Sequence, residues 1–195
     1  MISKEQYFDI AVAHRKEHKC GAYPYENGNF LTRITSELKP ENILEIGTGI
    51  GYSAYCLALG NETSHIDTID MLLEHGEISL KYWTKNGLEN RIDSIVGNST
   101  EILKQLVINE RNYDLIFFDG FTPNPDEVND FVKLLNSDGL LITTNLTLAS
   151  EIFRVDEYLQ NIADEGLNTK IFEDTSFSSR NQTTIEIAQK IWNEA

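Results

Sequence analysis

The 195-residue sequence predicts an α/β fold in which a mainly parallel sheet is wrapped by helices on both faces. Three observations predict it. Short apolar runs alternate with helical patterns along the chain, with no repeat, low-complexity tract or Pro/Gly/Ser-rich linker between them. The run NILEI passes directly into the glycine-rich turn GTGIG. Later, YDLIFF is apolar almost throughout, as expected of a central strand covered on both faces.

The elements follow in order. Residues 42–47 read as a buried strand, and after the glycine turn a helix runs over 52–59 until Gly60 and Asn61 stop it. Residues 65–70 form a second strand, and 72–86 a helix closed by Gly87. A third strand covers 92–96, and Ser99 caps a helix reaching about 109. The strand over 113–118 ends in Asp119-Gly120, and a helix follows over 125–135. The segment Asn136-Ser-Asp-Gly139 turns the chain into a strand over 140–144. A helix over 151–165 and strands over 168–173 and 183–189 complete the alternation. In such sheets ligands bind at the carboxyl ends of the strands, so the residues just after each strand are the candidates for function.

The chain carries 31 acidic against 16 basic side chains, a formal charge of −15. That balance opposes a phosphate backbone and excludes nucleic acid as the expected substrate. With 41% hydrophobic and 24% charged residues, the composition is that of one ordinary globular domain. No apolar run approaches a membrane span, and the start MISKEQYFDI lacks a signal-peptide core, so a cytoplasmic protein without membrane contact is expected. Cys20 and Cys56 then read as unpaired thiols rather than a disulfide.

Glu45-Ile-Gly47-Thr-Gly49-Ile-Gly51-Tyr-Ser53 places three glycines at alternate positions where a strand becomes a helix. Gly47 and Gly49 let the backbone turn and let a flat polar ligand approach the main chain. The dinucleotide pattern G-x-G-x-x-G would need a glycine at Tyr52. The G-x-G-x-G form, preceded by an acid, instead fits the amino-acid and ribose parts of S-adenosylmethionine. Asp70 ends the second strand 21 positions after Gly49, close to the separation at which a carboxylate meets ribose hydroxyls.

With these pieces placed, the chain resembles the catechol O-methyltransferase-like family of small-molecule O-methyltransferases over residues 28–190. The stretches that carry it are ILEIGTGIGYSAYCLA, HIDTID, NGLENRIDSIVGNSTEIL, YDLIFFDG and LLNSDGLLITTN. The resemblance implies a Rossmann-like three-layer α/β/α sandwich with a seven-stranded sheet, mainly parallel, whose last strand is antiparallel. It implies S-adenosylmethionine as methyl donor, a small-molecule acceptor methylated at oxygen, and a homodimer. Residues 1–40 would form a helical segment over the acceptor site.

By the same resemblance Glu45 and Gly47 line the methionine end of the donor, Gly49 belongs to the donor-binding loop, Ser53 binds the donor carboxylate and Asp70 its ribose. Met71 packs on the adenine, and Asn98 and Ser99 reach the adenine edge. Asp119 faces the donor amino group and the acceptor, and it is the candidate catalytic residue; a solvated turn Asp is the alternative. In metal-dependent members an Asp, an Asp-Asn pair and a Lys general base complete the acceptor side. Asp119 and Asn145 keep two ligand positions, but Thr144 replaces the middle carboxylate and Thr122 stands at the Lys position. Loss of that charge disfavours a divalent metal, and none is assigned. A donor-binding protein whose chemistry has decayed is therefore an alternative function, and a nicotinamide oxidoreductase a weaker one.

His14 and His18, spaced i, i+4, offer further titratable groups but read as exposed surface residues. Tyr23 and Tyr25 either line the acceptor pocket or pack structurally.

Overall fold

The computed structural model describes residues 1–120, 124–144, 155–174 and 183–189. Thr122 and Asn145 lie outside these residues, as does the start of the helix expected from residue 151. The chain divides into two compact units, Met1–Ser99 and Thr100–Ala195.

The first unit opens with α1 (Lys4–His18) and α2 (Gly28–Leu38). Ser3 and Gln6 form a capping box at the start of α1, which satisfies two amides that the helix leaves open. Arg15, Lys16 and His18 crowd its last turn, where the helix dipole favours cations. Asn27 caps α2 by accepting the Phe30 amide at 3.0 Å.

Strands β1 (Asn42–Ile46), β2 (His65–Asp70) and β3 (Ile92–Val96) pair in parallel in the order β3-β2-β1, with Leu44 opposite Asp67 and Thr68 opposite Ser94. Two helices connect them, α3 (Tyr52–Gly60) and α4 (Leu73–Lys85). Every residue from Tyr52 to Ala58 is buried, so α3 is a core helix without a polar face. Gly87, at φ +71°, follows the end of α4 and supplies the expected left-handed stop.

Gly60 departs from expectation. It is the last residue of α3 rather than the turn beyond it, and its backbone is not left-handed. What requires glycine there is the close approach of α2. A Cβ would stand 2.2 Å from the Thr32 carbonyl oxygen and nearer still to Thr35 Oγ1.

The second unit contains α5 (Ser99–Ile108, beginning at the unit boundary), β4 (Tyr113–Phe118), α6 (Val128–Leu134), β5 (Leu135–Thr143), α7 (Val155–Asp164), β6 (Asn168–Asp174) and β7 (Thr183–Gln189). β4 and β5 are parallel, with Phe117 opposite Ile142. Tyr158 and Ile162, one turn apart on α7, are fully buried, and the Tyr158 hydroxyl meets Thr143 Oγ1 at 2.6 Å.

Two local expectations are corrected. The helix expected from residue 125 begins as a 3-10 turn, Pro125–Glu127, because Asn124 accepts the Asp126 amide and tightens the chain before α6. The turn expected at Asn136–Gly139 is instead part of β5, which slips in register against β4 between Tyr113 and Leu115. Asp138 takes the left-handed conformation there, at φ +62°, and Gly139 does not. Asp tolerates that region better than most residues.

Among the described residues no helix is long and apolar enough to cross a membrane. Replacing Gly60 with Ala should lower the unfolding free energy by about 1–3 kcal/mol, since the added methyl meets backbone that cannot swing away. Urea unfolding of Gly60→Ala measures this, and an unchanged midpoint would show that α2 stands off from α3.

Candidate functional site

The glycine loop between β1 and α3 is built by hydrogen bonds to its carbonyls. Tyr7 on α1 donates its hydroxyl to the Ile50 carbonyl at 2.6 Å, and Trp83 on α4 donates Nε1–H to the Gly51 carbonyl at 3.1 Å. Ser79 Oγ lies 3.5 Å from the Gly49 carbonyl. Ser79 gives its hydroxyl proton to the His75 carbonyl at 2.7 Å, so two consecutive carbonyls, those of Ile50 and Gly51, are held from the protein side. Gly47, Gly49 and Gly51 have φ of +103°, +50° and +82°, which L side chains rarely adopt. At Gly51 a Cβ would also stand 2.7 Å from the Trp83 ring.

The base of the loop is tied to β2. The Gly47 and Thr48 amides both donate to the Ile69 carbonyl, at 2.9 and 3.2 Å. Beneath them Thr68 Oγ1 donates to Glu45 Oε2 at 2.5 Å and meets Thr48 Oγ1 at 2.8 Å. Glu45 and Thr68 are fully buried. Reading of the sequence marked Glu45 but gave no sign of Thr68, whose part depends on the β1–β2 register.

Asp70 closes the loop from the other side. Its Oδ2 accepts the Gly49 amide at 2.9 Å, and its Oδ1 accepts the Leu72 amide at 2.9 Å and faces His75 Nδ1 at 3.1 Å. Burial pushes this carboxyl up, and the His75 hydrogen bond with the Leu72 and Gly49 amides outweighs it, leaving Asp70 below its ordinary value. The same hydrogen bond raises His75 against the opposing effect of its own burial. A carboxylate has about four lone-pair directions. Three are already used, which leaves one direction for a ligand hydroxyl. His75 was not marked in the sequence.

The other residues expected at the donor lie as follows. Ser53 is buried in the first turn of α3, a helix start that has no side-chain cap. Met71 is 69% exposed beside Asp70. The Gly97 amide donates to the Asp70 carbonyl at 2.9 Å, which fixes the approach of Asn98 and Ser99. Asp119 lies in the second unit, where Thr144, fully buried, donates its hydroxyl to Asp119 Oδ1 at 2.6 Å.

The N-terminal segment also bears on the loop. Ala22 Cβ lies 3.4 Å from where a Cβ on Gly49 would stand. Next to it Arg15, Lys16, Lys19, Cys20, Gly21 and Tyr23 line a cavity of about 480 Å³. The Arg15 guanidinium sits 3.3 Å above the Tyr23 ring. Tyr25 is buried. His14 departs from expectation: it is only 9% exposed, stacks on His18 at 4.3 Å between ring centroids and meets the His75 ring edge-on at 5.6 Å. Burial, then the neighbouring His18 and His75, lower its pKa. Both cysteines are free, and burial pushes the Cys56 thiol up to about 12.

Comparison with known proteins gives this geometry a family. The family model described as O-methyltransferase matches residues 10–187. The chain belongs to the O-methyltransferase family. It is 35% identical over 103 residues to caffeoyl-CoA O-methyltransferase 2 of Eucalyptus globulus, a match covering 51% of this chain and 42% of that one. The chain spans about half the length of the curated relatives it matches. Among solved structures, the O-methyltransferase of Bacillus cereus in complex with SAH superposes with a TM-score of 0.81 at 21% identity, covering 97% of this chain and 93% of that chain. The O-methyltransferase TomG of Streptomyces achromogenes, in complex with SAM, gives 0.78 at 17% identity, covering 98% and 100%. These likenesses show a Rossmann-like α/β fold with five parallel strands.

Replacing Trp83 with Phe removes the donor to the Gly51 carbonyl while keeping an aromatic ring. The expected cost is about 0.5–1.5 kcal/mol of stability, that of one lost hydrogen bond, since the Gly51 carbonyl keeps the Tyr55 amide at 3.1 Å. Chemical denaturation of Trp83→Phe checks it, and a change within error would mean that the indole does not hold the loop.

Proposed function

We propose that the protein transfers the methyl group of S-adenosylmethionine to an oxygen of a small, acidic acceptor. The observation that carries this reading is the clamp around Gly49, where two anchored carbonyls and the Asp70 carboxylate fix a loop of left-handed glycines beside the open start of α3. The donor supplies an electrophilic methyl carbon on a sulfonium centre, so the protein mainly has to align the acceptor and leave it deprotonated.

The fit to that donor is good. Gly47 and Gly49 carry no side chain where the ligand approaches, and Ser53 with the first-turn amides of α3 receives its carboxylate. Asp70 accepts a ribose hydroxyl at its remaining lone-pair direction, and Met71, Asn98 and Ser99 border the adenine. Glu45 sets the loop from below through Thr68. Asp119 remains the candidate on the catalytic side. The divalent cation of metal-dependent relatives does not fit the described residues, because the Thr144 hydroxyl, a neutral group, spends itself on Asp119 Oδ1. No step is assigned to such a metal.

The acceptor side is assigned to the cavity lined by Arg15, Lys16 and Lys19, a concentration of positive charge on a chain of net −15. Relatives named for a CoA thioester fit an anionic acceptor. The chain is proposed to act as one methyltransferase domain with a mainly parallel seven-stranded sheet whose last strand is antiparallel; the antiparallel pairing of Ile142 with Ile187 supports this. A cytoplasmic homodimer completes the reading.

Calorimetry with S-adenosylmethionine should show binding that Asp70→Ala weakens at least tenfold, the worth of a lost charge-assisted hydrogen bond of about 1.5–3 kcal/mol. Binding of NAD in place of S-adenosylmethionine would sink the reading. With caffeoyl-CoA as probe acceptor, the double variant Lys16→Glu/Lys19→Glu should raise KM several-fold with kcat little changed, and added Mg²⁺ should leave the rate unaltered. Donor binding without transfer to any phenol or acid tested would leave a decayed binding protein.

A further inference from the structure

We propose that His14, Cys20 and His75 form a binding site for a soft divalent cation of the Zn²⁺ class. The site is separate from the hard-metal position of the family and does not rest on the proposed methyl transfer. Three elements converge on it: α1 supplies His14, the link between α1 and α2 supplies Cys20, and α4 supplies His75. One ligand atom from each lies within 4.8 Å of the other two. Around tetrahedral zinc such atoms stand roughly 3.3–3.7 Å apart, given bonds of about 2.0–2.3 Å. Closure therefore asks for side-chain movement of about an ångström, without rearrangement of the helices.

The second observation is His14 itself. Its ring is more than nine-tenths buried, and Nε2 has no hydrogen-bond partner among the described residues. A buried ring nitrogen with no partner carries a desolvation cost that a bond to a metal removes. His75 is prepared in a complementary way. Asp70 holds its Nδ1, which fixes the tautomer and leaves Nε2 for the cluster, as in the carboxylate–histidine–metal arrangement of many zinc sites. Cys20 is part-exposed, which gives an ion a way in.

The donor set of two imidazoles and one thiol selects Zn²⁺ over Mg²⁺. On binding, the S–H bond of Cys20 breaks, its proton passes to solvent, and a metal–sulfur bond forms, while both imidazoles bind neutral. The thiolate, Asp70 and Glu74, the last 4.0 Å from His18, offset the added charge. The fourth position is left for water. The link that carries Cys20 also carries Ala22, which lies against Gly49, so the bound ion would fasten the N-terminal segment over the glycine loop.

The test uses the full chain, freed of any affinity tag and of bound metal, under reducing conditions. Titration with Co²⁺ should give a thiolate-to-cobalt charge-transfer band with tetrahedral visible bands at one equivalent. Calorimetry should show one Zn²⁺ bound and no Mg²⁺. Cys20→Ser, at a part-exposed position where the fold tolerates the change, should abolish the charge-transfer band and weaken Zn²⁺ at least tenfold, and His14→Gln should weaken it similarly. His65→Gln, which alters the separate cluster of His65, Asp67 and Asp93, should change nothing. Absence of Zn²⁺ binding by the wild type, a band that survives in Cys20→Ser, or loss of binding in His65→Gln would each overturn the site. A chain that binds S-adenosylmethionine but no Zn²⁺ loses this proposal and keeps the proposed function.

Discussion

The hydrogen bond from the Gly49 amide to Asp70 is the contact on which the rest of the first unit turns. It joins the ends of two adjacent parallel strands, and it does so through a residue whose left-handed backbone no ordinary side chain could hold cheaply. Once it forms, the directions of the loop carbonyls are set. Tyr7 and Trp83, drawn from two helices far apart in sequence, then find acceptors waiting for them. Preorganisation of this kind lets a binding loop be rigid without being covered, because its polar groups on one side are already satisfied.

Parts of this arrangement were legible in the sequence for a simple reason. Strand ends and glycine turns are local, so GTGIG, the acid of HIDTID and the strand YDLIFF could be placed by spacing alone. The boundaries of β2, β3 and β4 match that reading residue for residue. His75, Thr68, Trp83 and Tyr7 were not legible. Each acts through a partner whose proximity exists only after register and helix packing are set, and nothing in the spacing of a Trp on α4 announces a carbonyl 32 residues earlier.

Misread glycines teach the same lesson from the other side. Gly60 and Gly139 both looked like punctuation, the usual meaning of a glycine after an apolar run. Gly60 is instead required by the backbone of another helix, and the left-handed position near Gly139 went to Asp138. His14 was misplaced for a related cause: its i, i+4 spacing with His18 suggested a solvated face, and His18 is exposed, whereas His14 is buried against His75 of α4. A residue's type set the candidates, and tertiary contact chose among them.

The basic cavity at the end of α1 carries a consequence for kinetics. Arg15, Lys16 and Lys19 present a small cationic mouth on a molecule whose total charge is −15. An anion approaching from afar meets repulsion, and attraction takes over only within the last Debye length, about 8 Å at physiological ionic strength. Salt screens the distant field before it screens the close contacts. Capture of the proposed anionic acceptor by this mouth would therefore quicken as ionic strength first rises, opposite in sign to the usual behaviour of oppositely charged partners.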